Sequence, residues 1–134
     1  IMAENKFNFE LVTPEQVLVS GEVQSVSIPG VEGNMTVLAD HAPVATAIRP
    51  GYLEVQETGK SERYFLSGGF VEISQKEVII LAETAVLGSE LSSDIIAKLI
   101  EKTEKSLENA SELQGYVLAK KLNDLTSIQD QLLN

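Results

Sequence analysis

The chain has 134 residues, of which 20 are acidic and 10 basic, giving a formal net charge of -10. Nucleic-acid affinity rests largely on lysine and arginine neutralising phosphates, so this balance excludes a nucleic-acid partner and disfavours direct insertion into anionic lipid. There is no cysteine, hence no disulfide, thiolate nucleophile or zinc–thiolate cluster, and no apolar run is long enough to cross a bilayer.

A chain of this length accommodates one domain with a small appendage and buries a real core. Its first residues enter a strand-like pattern almost at once, so neither a secretory signal nor a transit peptide is expected. Phe7, Phe9 and Leu11 alternate with Asn8, Glu10 and Val12; Val17, Leu18 and Val19 follow, and Val26 and Ile28 alternate with Ser25 and Ser27. Pro14, Gly21 and Pro29-Gly30 bound these runs, which read as half-buried strands. The same grammar continues at 35–38, 45–48, 52–56, 63–66, 71–73 and 78–81, with turn signals at Arg49-Pro50-Gly51, at 57–60 and at 74–77. Many short strands at this spacing predict a β-sandwich or barrel.

After Gly88 the residue choice changes: Gly115 is the one further glycine, proline is absent, and Leu, Lys, Glu and Ala dominate. Ser92 or Ser93 can cap a helix with Asp94 in its first turn, against the positive end of the helix dipole. Ile96, Leu99, Ile100, Thr103, Leu107 and Ala110 then share one face, while Lys98, Lys102 and Lys105 lie largely off it. The pattern is interrupted at 109–115. A second stripe follows in Leu118, Leu122, Leu125, Ile128 or Gln129, and Leu132. Two amphipathic helices with a short connection form an antiparallel α-helical hairpin, each covering the other's stripe. The expected division is a β-sandwich domain at 1–87 and a helical hairpin domain at 88–134.

Asp40 and His41 are the first candidates for acid–base chemistry. Neighbours in extended chain point to opposite faces, so adjacency alone does not set carboxylate on imidazole. His41 is followed by Ala42-Pro43, which forces extended backbone, and a histidine there makes structural hydrogen bonds or a partner contact. One histidine, no cysteine and no calcium-type acidic loop leave no expected metal site. Gly30 and Gly33 in "PGVEGN" lack the lysine and hydroxyl of a phosphate cradle and join two strands, so the segment is a turn exposing Glu32. Gly68-Gly69 reads as a tight reversal between strands, needing positive φ or close backbone approach. No nucleophile has a base beside it, and neither catalytic residues nor a cofactor site are expected.

Several segments carry a resemblance. "FNFELVTPEQVLVSGEVQSVSIPG", "EGNMTVLADHAPVATAIRPG", "YFLSGGFVEIS" and "VIILAETAV" resemble, in order, segments of the epsilon subunit of rotary F-type ATP synthases, called delta in mitochondria. The resemblance covers 7–88, and a helical stretch of the right length follows. It implies a ten-stranded β-sandwich ahead of two helices, which agrees with the sandwich or barrel and helical hairpin that period and punctuation predict. It also implies a non-catalytic rotor-stalk subunit that couples the gamma subunit to the ring of c subunits, peripheral on the cytoplasmic face of a bacterial inner membrane. On that basis Val31, Glu32, Gly33, Asn34 and Met35 would form a rim loop against the c ring, and Asp40, His41, Ala42 and Pro43 would lie on or near the gamma-facing side.

In some members the C-terminal helices brake ATP hydrolysis by inserting between catalytic beta subunits, and in some bacterial members a motif Ile/Leu-Asp-x-x-Arg-Ala at the first helix binds ATP. The corresponding run here is Leu91-Ser92-Ser93-Asp94-Ile95-Ile96, so serine replaces the aspartate and isoleucine both the arginine and the alanine. The charge that would meet a phosphate is missing. The alternative to a stalk subunit is a free-standing β-sandwich adaptor or carbohydrate-type binding module with an unrelated helical tail. An adaptor would be monomeric and complete alone, whereas a stalk subunit would bind gamma tightly.

Overall fold

Alternation of apolar and polar residues gives way to strands wherever it runs for a few residues, and the computed structural model, which describes residues 5–133, shows ten of them. Residues 1–4, which enter the expectation of no leader, and Asn134 lie outside the described part. The strands are β1 (Phe7–Val12), β2 (Val17–Val23), β3 (Ser25–Gly30), β4 (Gly33–Leu38), β5 (Val44–Ile48), β6 (Gly51–Glu57), β7 (Lys60–Leu66), β8 (Gly69–Ile73), β9 (Glu77–Ala82) and β10 (Ala85–Leu87). A single 3-10 turn at Gly88–Glu90 leads to the helices α1 (Ser93–Glu108) and α2 (Glu112–Leu133). β10 is the strand that alternation does not reveal, because its three residues are all half-buried.

Hydrogen bonding runs in the order β10-β7-β6-β3-β5-β8-β9-β1-β2, with β4 on the other edge of β3. The link between β3 and β5 is one pair, Gly30 with Ile48, whereas β3 pairs β4 from Ser25 to Gly30 and β6 from Ser25 to Ser27. The ladder therefore turns a corner at Pro29-Gly30, where proline has no N–H to donate. It separates two five-stranded layers, β10-β7-β6-β3-β4 and β5-β8-β9-β1-β2. All pairs are antiparallel except β1 with β9. Phe9, Leu11, Val23, Val71, Ile73, Val78 and Ile80 of one layer and Val26, Ile28, Val37, Leu53, Val55 and Leu66 of the other belong to one buried cluster. That is a sandwich core, and it belongs to a compact unit ending at Gly88.

The glycine pair 68–69 needs a correction. It does not reverse the chain between neighbouring strands, because β7 and β8 lie in different layers. It carries the chain across, beside the second crossing at Glu83-Thr84: the N–H of Ser67 donates to the carbonyl of Thr84 at 3.0 Å, and that of Glu83 to the carbonyl of Gly68 at 3.0 Å. Gly68 and Gly69 take φ of 146° and 149°, and a Cβ on Gly69 would run into the carbonyl of Leu81. Positive φ and close approach are both required there.

The second compact unit begins at Ser89. Ser92 is the N-cap of α1, its Oγ accepting from the N–H of Ile95 at 3.3 Å. Ile96 and Thr103 are the buried residues of α1, and Leu125 and Ile128 those of α2. A hydroxyl is tolerated at Thr103 because it donates to the carbonyl of Leu99 at 2.8 Å. The connection is shorter than the interrupted pattern suggests, 109–111, because α2 starts at Glu112 and takes in Gly115. Ser111 and Gln114 form a capping box: the N–H of Gln114 donates to Ser111 Oγ at 3.2 Å, and the N–H of Ser111 to Gln114 Oε1 at 3.3 Å.

Candidate functional site

The two segments singled out in the sequence flank β5. Of the residues Val31 to Met35, Val31 and Glu32 make the turn between β3 and β4, while Gly33, Asn34 and Met35 open β4, with Asn34 opposite Pro29 and Met35 opposite Ile28. Val31, Glu32, Gly33 and Asn34 are exposed; Met35 is half-buried and packs on the core. The turn is held firmly from beneath. The N–H of Val31 donates to the carbonyl of Ala47 at 3.0 Å and that of Arg49 to the carbonyl of Pro29 at 2.9 Å, so the turn sits beside the end of β5. A Cβ on Gly30 would lie 2.8 Å from the carbonyl of Gly33, which explains why glycine closes this hairpin.

Asp40 to Pro43 lie at the opposite end, leading into β5 at Val44. Asp40 occupies the left-handed region with φ 63°, a conformation that short polar residues tolerate in turns. His41 is half-buried, and its Nδ1–H donates to the carbonyl of Ala42 at 2.8 Å. That nitrogen is engaged by backbone and not by the Asp40 carboxylate, so the pair is a turn, not an acid–base dyad. Ala42 and Pro43 are exposed. The structure does not bring the two segments together; it separates them by the length of β5, roughly 14 Å at the usual rise per residue.

Elsewhere the polar groups have structural work. Arg63 stacks over the Tyr52 ring at 4.1 Å, and Tyr52 meets Phe65 edge-on with ring centroids 6.1 Å apart. Burial, with Glu62 and Glu57 adding to it, raises the Tyr64 phenol above its ordinary value. An open groove on α1 is lined by Lys98, Glu101, Lys102, Lys105 and Ser106, with Lys105 paired to Glu101 at 3.1 Å. Among the described residues no group of three or more His, Cys, Asp or Glu is placed to hold a metal ion, and no helix is long and apolar enough to cross a membrane.

Two exposed turns project from the packed sandwich. Residues 6–88 match the family model described as the ATP synthase delta/epsilon chain, beta-sandwich domain. The chain belongs to this family. It is 44% identical over 128 residues to the ATP synthase epsilon chain of Sinorhizobium medicae, covering 95% of each chain. With the ATP synthase epsilon chain of Allorhizobium ampelinum it is 41% identical over 134 residues, covering 98% of each. A chain in the Euglena gracilis mitochondrial ATP synthase, in a structure of its OSCP, F1 and c-ring, superposes with a TM-score of 0.67 at 26% identity over 92% of this chain and 81% of that one. A chain of the Tetrahymena thermophila mitochondrial ATP synthase, from a structure of its central stalk and c-ring, shares the fold with a TM-score of 0.67 at 16% identity over 96% of this chain and 99% of that one. The delta/epsilon match ends at Gly88, where the first compact unit also ends.

One surface escaped the sequence reading. Phe70, Leu81 and Val17 are exposed, large and apolar, and they come from three strands far apart in the chain. Only the register brings them side by side, and alternation within any single strand carries no sign of it.

Proposed function

We propose that this chain is a rotor-stalk subunit of a proton-translocating ATP synthase, joining the gamma subunit to the c ring so that rotation of one is transmitted to the other. Membership of the delta/epsilon family supports the role, and the observation that carries the coupling reading is the separation of two exposed segments at the two ends of β5 on one packed sandwich. A subunit that transmits torque has to hold two partners on a body that does not shear, and a core of fully buried Phe9, Leu11, Ile28, Leu53 and Ile80 supplies that body. Val31, Glu32, Gly33 and Asn34 meet the polar loops of the c ring, with Met35 anchoring the turn from below. Asp40, His41, Ala42 and Pro43 lie on the gamma side. Catalysis resides in other subunits; if any part of the chain reaches catalytic beta subunits, it is the C-terminal helices. The chain is peripheral, at the cytoplasmic face of a bacterial inner membrane.

The c-ring contact is tested by replacing Glu32 and Asn34 together with alanine. Both are exposed, so the isolated chain keeps its stability within about 0.5 kcal/mol. ATP-driven proton pumping in membranes carrying the variant should fall relative to ATP hydrolysis. Unchanged pumping would remove this turn from the coupling path.

A further inference from the structure

β10 is the shortest strand and the outermost of its layer, joined to β7 through Ala85 with Leu66, Val86 with Phe65 and Leu87 with Tyr64. All three residues are half-buried, and Ala85 packs against the sandwich core. Upstream, the chain is fixed where the carbonyl of Thr84 accepts from the N–H of Ser67; downstream, it is fixed where Ser92 caps α1. Three ladder pairs at the edge of a sheet are a weak hold. Segments with few buried contacts open locally, at well below the free energy of unfolding the whole domain.

Arg63 supplies a second hold. It stands in β7 opposite Glu54 of β6, and its guanidinium carbon lies 4.1 Å from the centroid of the Tyr52 ring, so the side chain reaches back across β6. On its other side Gly88, the residue after β10, comes so close that a Cβ there would lie 3.1 Å from Arg63 Nε and 3.2 Å from the Arg63 carbonyl oxygen. The Tyr52 ring is itself held edge-on by Phe65, the partner of Val86. One side chain thus ties β6 and β7 to the point where the chain leaves β10. A planar guanidinium suits the place better than an ammonium, since it stacks on the ring while its Nε lies beside Gly88. Arg63 is exposed, where a cation over a ring is held most weakly, so the tie is releasable.

We propose that β10 is a detachable strand and that Arg63 is its latch, a positioning residue acting through Tyr52 and Gly88. With the latch shut, the segment between β10 and the Ser92 cap is 88–91, most of it the 3-10 turn. With β10 peeled from β7, the free segment runs over 85–91. The added residues 85–87 give about 10 Å more reach at 3.3–3.6 Å each. The other nine strands keep their pairing in the open form, so the tether lengthens without unfolding the sandwich. This device belongs to the chain itself and stands apart from the choice of partner.

Amide hydrogen exchange on the full chain, followed by NMR at several low urea concentrations, tests the latch. In the wild-type chain the ladder-bonded amides of β10 should exchange at least about tenfold faster than those of β1 and β9, with little dependence on urea, the mark of an opening that exposes little surface. Arg63→Ala should speed β10 exchange a further two- to fivefold, about the factor carried by an exposed cation–π contact. Gly88→Ala, which crowds Arg63 without removing it, should act in the same direction, and Arg63→Lys should fall between wild type and Arg63→Ala. If β10 and β1 are equally protected in the wild-type chain and respond alike to urea, the strand opens only with the whole sandwich and the proposal is overturned. If β10 detaches but its exchange is the same in Arg63→Ala as in wild type, Arg63 is not the latch.

Discussion

Gly69 and Gly115 lack a Cβ for opposite reasons. At Gly69 the left-handed φ and the Leu81 carbonyl leave neither conformational nor physical room, so Gly69→Ala should destabilise the chain by more than about 1 kcal/mol. At Gly115, inside α2, the nearest atom to an added Cβ is Leu107 Cδ1 at 3.8 Å, an ordinary contact. Gly115→Ala should therefore stabilise by about 0.5–1 kcal/mol, because alanine loses less backbone entropy in a helix. Urea denaturation of the two variants checks the pair of signs. The sequence shows that positions 68 and 69 need what only glycine supplies, but the approaching backbone belongs to another strand, and no local pattern names it. His41 is a similar case: the following Ala42-Pro43 predicts extended chain, and the bond from Nδ1 to the Ala42 carbonyl is a structural hydrogen bond, one of the two uses expected of it, the other being a partner contact.

At the scale of elements, strands were legible wherever a few residues alternate, and β10 was not, because three half-buried residues have no period. In the helices the choice between Ser92 and Ser93 is settled by the hydrogen bond from Ile95, and Ile128 instead of Gln129 is the buried residue of the second stripe. The apparent break at 109–115 misled because glycine usually interrupts helices; the capping box at Ser111 and Gln114 starts α2 ahead of it. The start of α1 also bears on nucleotide. Ser92 is occupied as the cap, Asp94 adds negative charge in the first turn, and Ile95 and Ile96 offer nothing to a phosphate. ATP should bind no tighter than the millimolar range, roughly -4 kcal/mol, and a micromolar Kd by isothermal calorimetry would contradict this.

For the whole molecule, what holds the chain together is divided between a sandwich core and a helix pair, and the two compact units meet at Gly88 and Ser89. A chain ending at Gly88 retains all ten strands, and it should melt cooperatively and still bind gamma. The same truncation examines the brake. From Tyr116 onward the basic residues Lys120 and Lys121 are balanced by Asp124 and Asp130, so α2 has no net positive charge in this stretch to draw it toward an acidic segment. Its stripe is covered at Leu125 and Ile128 and in part at Leu118, Leu122 and Leu132, and uncovering it costs about 25 cal/mol for each Å². Removing the helices should change ATP hydrolysis by the assembled enzyme little; a several-fold rise would show that they inhibit. The claim that this chain transmits rotation is tested most directly by proton pumping in membranes whose ATP synthase has been stripped of it. ATP-driven pumping should be lost while hydrolysis continues, and adding back the purified full chain should restore it. Pumping that persists without the chain, or stays absent when the chain has rebound, would contradict the account.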